Sequence, residues 1–432
     1  MSKQREMSRR TMLATSAMAL AAPAFIRNVG AAQEPVRIGL IGGGTRGIDI
    51  ARHLGALDSA QVTAVCDVYA PHLERAIEAA GNPDAARYVD YQALLDDPNV
   101  EAAVIATPDH WHERMVIDAA DAGKAIFCEK PLATSMDEAK RMRDAVERNN
   151  TVFQLGHQGR QHAATAAAGR LIKDENRIGP VTLVKTGRYF NGTLEQAPWR
   201  WYGYYSQWDR PDPGEVQENL DWERWLGPAP EIPFNERHFW HWRCYWPYGT
   251  GQAGDLLSHE FDHVQSVLGW GVPDTCMCTG QIAYYDDDRE VPDTWLANYQ
   301  YEERKCAFSY EGVMNSGREQ PPEYVGREGR IIFNGIGQDA SDFRIYGDHA
   351  AYPHMGRYAE SNDGYDRQAE GGRWPSHMED FLQCVRTGEQ PKCNIDEAFI
   401  GAATLLMSVE SYVSQRAVRW NRETETIEPA SA

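Results

Sequence analysis

The chain has 432 residues, 42% of them hydrophobic and 10% aromatic, with a formal net charge of -20. That length exceeds one ordinary core and implies about two domains, and the apolar content excludes a disordered chain. The acidic surplus leaves no basic surface to neutralise phosphates or anionic headgroups, which excludes nucleic acid as an expected partner.

Residues 1–32 read as a processing segment. Ser8-Arg9-Arg10-Thr11-Met12-Leu13 precedes a short apolar run from Ala14 to Ile26 and small residues ending at Ala31-Ala32. The pattern resembles a twin-arginine export signal, with Met12 where Phe is more frequent, and predicts cleavage near Ala32 and a periplasmic or otherwise exported protein. An ordinary basic N-terminus is the alternative. The run is too short to span a bilayer, and no later stretch reaches the roughly 18 consecutive apolar residues of a membrane helix, so no membrane contact is expected of the mature form.

Residues 33–158 predict an α/β domain with a doubly wound parallel sheet. Val36–Ile41, Val62–Cys66, Ala102–Ala106, Ala125–Cys128 and Val152–Leu155 read as strands, with helical patterns in the gaps and apolar residues nearly throughout each strand. After Gly159 the pattern changes. Residues 159–432 predict an α+β domain with a large, mostly antiparallel open sheet, from the alternation in Val181–Tyr189, Trp295–Tyr301 and Arg304–Tyr310. An aromatic- and proline-rich region runs from Pro198 to Pro247, and helices are predicted at Gly254–Leu268, Ser376–Thr387 and Ile395–Gln415. Residues 336–374, rich in Gly, Asp and Tyr, read as a long surface excursion. The eight cysteines show no Cys-x-x-Cys spacing, so they read mostly as buried hydrophobes, with Cys384 and Cys393 one candidate disulfide.

Gly42-Gly43-Gly44-Thr45-Arg46-Gly47 follows the first strand and opens a helix, which fits G-x-G-x-x-G. The glycines at 42, 44 and 47 serve a tight turn, close approach of a pyrophosphate, and helix–strand packing, with Thr45 and Arg46 beside them. Asp67 ends the second strand, where a carboxylate accepts both ribose hydroxyls of NAD and repels a 2′-phosphate. NAD is therefore expected over NADP. A glycine turn with Asp67 as a helix cap is the bland alternative. Thr107-Pro108-Asp109-His110-Trp111-His112 and Glu129-Lys130-Pro131 fall at further strand ends, where open α/β sheets bind ligands. Read alone, each is a proline-started helix or an ionic turn.

Together with an Asp-x-x-x-His at Asp255 and His259, these residues resemble the glucose-fructose oxidoreductase/inositol dehydrogenase (Gfo/Idh/MocA) family over nearly the whole mature chain. The resemblance implies a Rossmann domain, a C-terminal domain for substrate binding and oligomerisation, a cis Pro131, and catalytic roles for Lys130, Asp255 and His259. It implies cofactor contacts from Gly42, Gly44, Thr45, Arg46, Gly47, Asp67, Thr107, Pro108, His110, His112, Glu129 and Lys130. Trp222–Asn235 resembles exported members. Relatives commonly pair through the open face of the sheet, so a dimer or tetramer is expected.

The chemistry is consistent with that resemblance. Oxidising a secondary alcohol requires a base for the hydroxyl proton while hydride leaves the same carbon for nicotinamide. His259 is the expected base, Lys130 stabilises the developing alkoxide, and Asp255, one helical turn before His259, orients the imidazole or binds a neighbouring hydroxyl. His157, Gln158 and Arg160 are a candidate substrate rim at the domain junction, a polar linker being nearly as good an account. Trp242 and Arg243, in the run Phe239–Trp246, are candidate sugar contacts, as is Trp199-Arg200-Trp201-Tyr202; burial in a core or subunit interface competes for both. His259-Glu260-Phe261-Asp262-His263 also spells H-E-x-x-H, a zinc motif on a helix, but no metal is expected beside a dinucleotide fingerprint. The expected activity is NAD-dependent oxidation of a sugar, glycoside or polyol hydroxyl with the cofactor retained. The alternatives are an NAD-retaining glycosidase or lyase that oxidises a hydroxyl transiently, and a non-enzymatic carbohydrate-binding module.

Overall fold

Six short strands made mostly of apolar residues form the first sheet. They are β1 (Val36–Ile41), β2 (Ala60–Cys66), β3 (Ala86–Tyr88), β4 (Ala102–Ile105), β5 (Ala125–Cys128) and β6 (Phe153–Leu155), all parallel, in the order β3-β2-β1-β4-β5-β6. The computed structural model describes residues 34–191, 213–318, 320–335, 342–348, 358–360 and 376–430. The expected export segment and the Trp199–Tyr202 cluster lie outside these residues. All four residues of β4 are buried because helices cover both faces of the sheet. The helices between the strands are α1 (Thr45–Gly55), α2 (Ala70–Ala80), α3 (Tyr91–Leu95), α4 (His112–Asp121) and α5 (Met136–Arg148). Ala-Arg-Tyr of β3 is only half-buried, and so short a segment gives no apolar signal in sequence.

The second part of the chain contributes α6 (Ala163–Lys173), α7 (Pro213–Asn219), α8 (Trp222–Leu226), α9 (Glu236–Trp240), α10 (Ser258–Leu268), α11 (His377–Thr387) and α12 (Ile395–Ser414). Its strands are β7 (Val181–Tyr189), β8 (Thr275–Gln281), β9 (Thr294–Tyr301), β10 (Cys306–Val313), β11 (Glu323–Gly326), β12 (Gly329–Asn334), β13 (Asp342–Asp348), β14 (Tyr358–Glu360), β15 (Val418–Asn421) and β16 (Thr426–Pro429). They make a ten-stranded sheet in the order β14-β13-β12-β11-β7-β10-β9-β8-β15-β16. Every pairing is antiparallel except β7 with β10. Along β9, Trp295, Ala297, Tyr299 and Tyr301 are buried while Leu296, Asn298 and Gln300 are exposed, so the sheet has one covered face and one open face.

The core also draws on distant sequence. Met378, Phe381 and Leu382 of α11 join Ile48, Leu54, Leu73 and Phe127 in one cluster, so a helix near the chain end closes a face of the first sheet. Phe381 meets Phe127 edge-on at 5.8 Å, and burying such a ring contributes about 1.5–3 kcal/mol. Ser376 and Glu379 cap α11 reciprocally, which fixes where it starts.

Three expectations are corrected. The strand expected at Arg304–Tyr310 begins only at Cys306, because Lys305 takes a left-handed conformation (φ 53°) in the turn before it. The expected surface excursion at 336–374 contains β13 and β14, with Phe343 and Ile345 buried. All eight cysteines are buried thiols outside any disulfide, so the candidate Cys384–Cys393 bond is not formed. Cys393 turns its thiol toward the Asp262 carboxylate rather than toward Cys384.

Candidate active site

The first βα turn prepares an anion site. Gly42 sits at φ 94°, and a Cβ there would lie 2.7 Å from the Ala106 backbone. A Cβ on Gly47 would lie 1.9 Å from the Gly42 carbonyl oxygen, so Gly47 allows α1 to pack on the turn and does not itself line the cavity. Helix α1 starts with no side-chain cap, leaving its first N–H groups to a ligand. Thr45 Oγ1 is buried at this helix start with no hydrogen-bond partner among the described residues. An orphaned hydroxyl beside uncapped amides is what a bound pyrophosphate would satisfy. Arg46 reaches across to Glu129, its Nε donating to Oε1 at 2.7 Å, and the guanidinium holds the buried Glu129 carboxyl below its ordinary range despite burial.

Asp67 terminates β2 in the same cavity. Its Oδ2 accepts from the Gly43 N–H at 2.6 Å and its Oδ1 from the Tyr69 N–H at 2.8 Å. Burial nevertheless raises its pKa to about 6. His72, with Nδ1 3.8 Å from Asp67 Oδ2, is pushed down to about 3 by burial and stays neutral. Only the ionised carboxylate accepts two ribose hydroxyls. NAD affinity should therefore weaken by up to about tenfold per pH unit as pH falls below 6, the limit for one linked proton. Asp67→Asn should flatten that limb and weaken binding throughout; calorimetric titration with NAD across this range checks both.

Lys130 stands at the end of β5, before a cis bond to Pro131. Its Nζ donates to Asp255 Oδ1 at 2.7 Å and to the Asp255 carbonyl oxygen at 2.9 Å. Arg243 Nε donates to the same Oδ1 at 3.3 Å, and its guanidinium lies 4.1 Å from the centre of the Trp242 ring. The expected helix from Gly254 is two elements, a π-helical turn Ala253–Leu257 followed by α10. Such turns recur at functional sites, and this one brings both Asp255 and His259 into the cavity.

One cavity of about 540 Å³ joins these parts. It is lined by Gly42, Gly44, Thr45, Arg46 and Asp67, by Thr107, Pro108, Glu129 and Lys130, and by Gln158, Trp242, Arg243, Asp255 and His259. Besides Gly47, four expected contacts lie outside its lining. His112 is fully buried, its ring nitrogens 2.8 Å from the Pro131 carbonyl oxygen and 3.1 Å from that of Thr107, so it fixes two cavity-lining loops. His110 places Nε2 3.1 Å from the Trp225 carbonyl oxygen. His157 is buried edge-on to His259, with ring centres 5.4 Å apart. Arg160 is withdrawn into ion pairs with Asp262 at 2.6 Å and Glu397 at 3.0 Å, because a guanidinium buried to this degree requires carboxylate partners.

The zinc-like pattern is taken apart by the fold. Glu260 accepts from Arg188 Nε at 2.6 Å, and His263 Nδ1 lies 3.0 Å from the Tyr324 hydroxyl, while His259 lines the cavity. Among the described residues no group of three or more His, Cys, Asp or Glu is arranged to hold a metal, and no helix is long and apolar enough to cross a membrane.

Residues to which the sequence assigned no individual role also reach the cavity. Leu220 bridges to Tyr69, the Asp221 N–H donates to the Val68 carbonyl at 2.9 Å, and Trp111 Nε1 donates to the Trp225 carbonyl at 2.9 Å. These bonds strap α8 across the loops after β2 and β4, ring contacts of Phe239 and Trp240 with Tyr69 add α9, and Trp225, Phe239 and Trp240 line the cavity. Asp109 lines it too. Sequence offered one signal for Asp109, its place in the segment after β4. It singled out Trp222–Asn235 by resemblance and Phe239–Trp246 as an aromatic run, but offered no signal that the former bonds to the loops after β2 and β4.

A parallel sheet with this strand order, a glycine turn and an acidic residue ending β2 define a dinucleotide-binding oxidoreductase architecture. Residues 36–157 match the Gfo/Idh/MocA oxidoreductase family, NAD-binding Rossmann fold, and residues 192–430 match its C-terminal alpha/beta domain. The chain belongs to that family. It is 35% identical to levoglucosan dehydrogenase of Pseudarthrobacter phenanthrenivorans over 271 residues, 57% of each chain. It is 35% identical to a glycosyl hydrolase family 109 protein of Saccharopolyspora erythraea over 175 residues, 34% of this chain and 38% of that one. The alignments thus span little more than half, or less, of these relatives' lengths. The fold is shared with a crystal structure of levoglucosan dehydrogenase in complex with NADH and levoglucosan, at TM-score 0.65 and 20% identity, covering 89% of this chain and 99% of that one.

Proposed function

We propose that this protein is an NAD-dependent oxidoreductase acting on a secondary hydroxyl of a sugar, glycoside or polyol, with its cofactor retained between turnovers. The observation that carries this is the continuity of one cavity from Asp67 and the glycine turn to Lys130, Asp255 and His259. Gly44 and Thr45 would hold the pyrophosphate and Asp67 the adenosine ribose, which favours NAD over NADP. When bound, NAD supplies the acceptor for hydride from the substrate carbon. His259 takes the hydroxyl proton, Lys130 stabilises the alkoxide, and Asp255 holds Lys130 in place through both its carboxylate and its carbonyl. Trp242 offers a ring face to the apolar side of a sugar.

The strap supports retention, since Leu220, Asp221 and Trp225 bond it to Tyr69, Val68 and Trp111 while Trp225, Phe239 and Trp240 line the cavity. Retention also suits a protein carried out of the cytoplasm already folded by the segment around Arg9 and Arg10, and the open face of the ten-stranded sheet suits pairing into a dimer or tetramer. The test is to purify the protein without added cofactor, release any ligand with acid, and quantify dinucleotide per chain. Near-stoichiometric NAD, reduced on adding sugars or polyols, is the expected result. An empty protein that exchanges NAD freely would overturn retention, and no reduction by any sugar would overturn the activity.

The relationship to a glycosyl hydrolase family 109 protein favours one second reading, a glycosidase or lyase that oxidises a hydroxyl transiently. A released aglycone in place of a ketosugar product would establish it.

A further inference from the structure

We propose that Asp109 is a substrate-binding residue whose carboxyl hydrogen-bonds a second hydroxyl of the sugar or polyol held at Lys130 and His259. The proposal rests on the activity proposed above and adds the group that makes the site demand more than one hydroxyl.

Asp109 opens the short 3-10 turn Asp109–Trp111 after β4 and is only 6% exposed, yet it lines the cavity. The molecule treats its other buried carboxylates differently. Glu129 has Arg46 at 2.7 Å, Glu260 has Arg188 at 2.6 Å, Asp262 has Arg160 at 2.6 Å, and Asp255 has Lys130 at 2.7 Å. Asp67 accepts two backbone N–H groups. Among the described residues nothing donates a hydrogen bond to the Asp109 carboxylate. A carboxyl this little exposed, with no donor from the described residues, depends on solvent or a ligand in the cavity for one, and a ligand that fills the cavity must supply it.

The surroundings hold it in the cavity. A Cβ on Gly249 would lie 2.9 Å from Asp109 Oδ2, so that glycine leaves the space the carboxyl occupies, and a Cβ on Gly254 would lie in ordinary contact with it at 3.6 Å. Trp242 reaches the same point, its Cζ3 3.1 Å from that Gly249 position. Asp109 thus lies close to both the Trp242 ring and the turn that carries Asp255. Burial raises its pKa to about 7, against the pull of Arg243 and Lys130 and with the push of Asp255 and Glu138. In either protonation state it has oxygen atoms for a hydroxyl to meet. Hydroxyl groups are what sugars present in rows, and a site built to bond a substrate hydroxyl rejects the analogue lacking it, because its own buried group is then left unpaired.

The experiment uses the full, NAD-loaded chain. D-glucose, myo-inositol and levoglucosan are screened for reduction of bound NAD, and the best of them is compared with its monodeoxy derivatives. One derivative modified away from the oxidised carbon should lose about 100-fold or more in kcat/KM. Asp109→Asn should lose a similar factor on the parent sugar and stop discriminating against that derivative, with NAD content unchanged as proof of folding. Equilibrium binding of the parent sugar to the NADH-loaded protein, followed by tryptophan fluorescence, should weaken in parallel. If Asp109→Asn keeps wild-type kcat/KM and the wild-type ranking of the deoxy series, the proposal is overturned while the proposed activity stands. If the wild type neither oxidises nor binds any of the sugars, the activity falls and the proposal with it.

Discussion

His259→Ala lowers turnover by about 10²–10⁴-fold, the range for removing a positioned general base, and leaves bound NAD in place. The separation of the two effects follows from position. His259 lies in the first turn of α10, whereas the proposed dinucleotide contacts come from the glycine turn and Asp67 at the C-terminal ends of β1 and β2. Single-turnover reduction of bound NAD by a sugar, with NAD content measured on the same sample, checks both halves. Full-rate reduction by the variant would remove His259 from the chemistry; loss of NAD with loss of rate would mean the histidine supports the fold instead. His157, packed edge-on against the His259 ring, should show a smaller loss when replaced by Ala, since it positions the base without reaching the cavity lining.

Glu260→Ala should destabilise the protein by about 3–5 kcal/mol, because it strands the Arg188 guanidinium in the interior without its closest carboxylate. Glu260 is fully buried, Arg188 nearly so, and Nε to Oε1 is 2.6 Å. This ion pair links α10 to β7 behind the face that carries His259. Denaturant unfolding followed by tryptophan fluorescence measures the loss. In a zinc site of the H-E-x-x-H kind the same substitution would spare stability in the metal-loaded protein and abolish activity with metal bound. Unchanged stability together with stoichiometric zinc in the wild type would therefore reverse the assignment of Glu260 as a structural ion-pair partner.

How far the site was legible depends on whether its residues sit in local patterns. The turn from Gly42 to Gly47 and the strand-ending Asp67 are local, because a tight turn, a close anion and a helix start impose residue types at fixed spacing. Lys130 and the Asp255/His259 pair were readable as residue types, and the fold then set Asp255 on Lys130 and Arg243. Arg160, His110 and His112 show the limit. Sequence placed polar residues beside a ligand crevice, but partners 102 and 237 residues away drew Arg160 into the interior, and backbone carbonyls took up the two histidines.

The sequence by itself determined the element types of the first domain, the dinucleotide turn and the existence of a mostly antiparallel second sheet, since strand and helix periods and glycine spacing act over a few residues. Only the tertiary structure decided that α11 completes the first domain's core, that β13 and β14 extend the sheet, and that Trp225, Phe239 and Trp240 close over the cavity. It alone left Asp109 facing that cavity with no donor among the described residues. Each of these depends on burial and pairing between segments far apart in the chain, which local patterns do not encode.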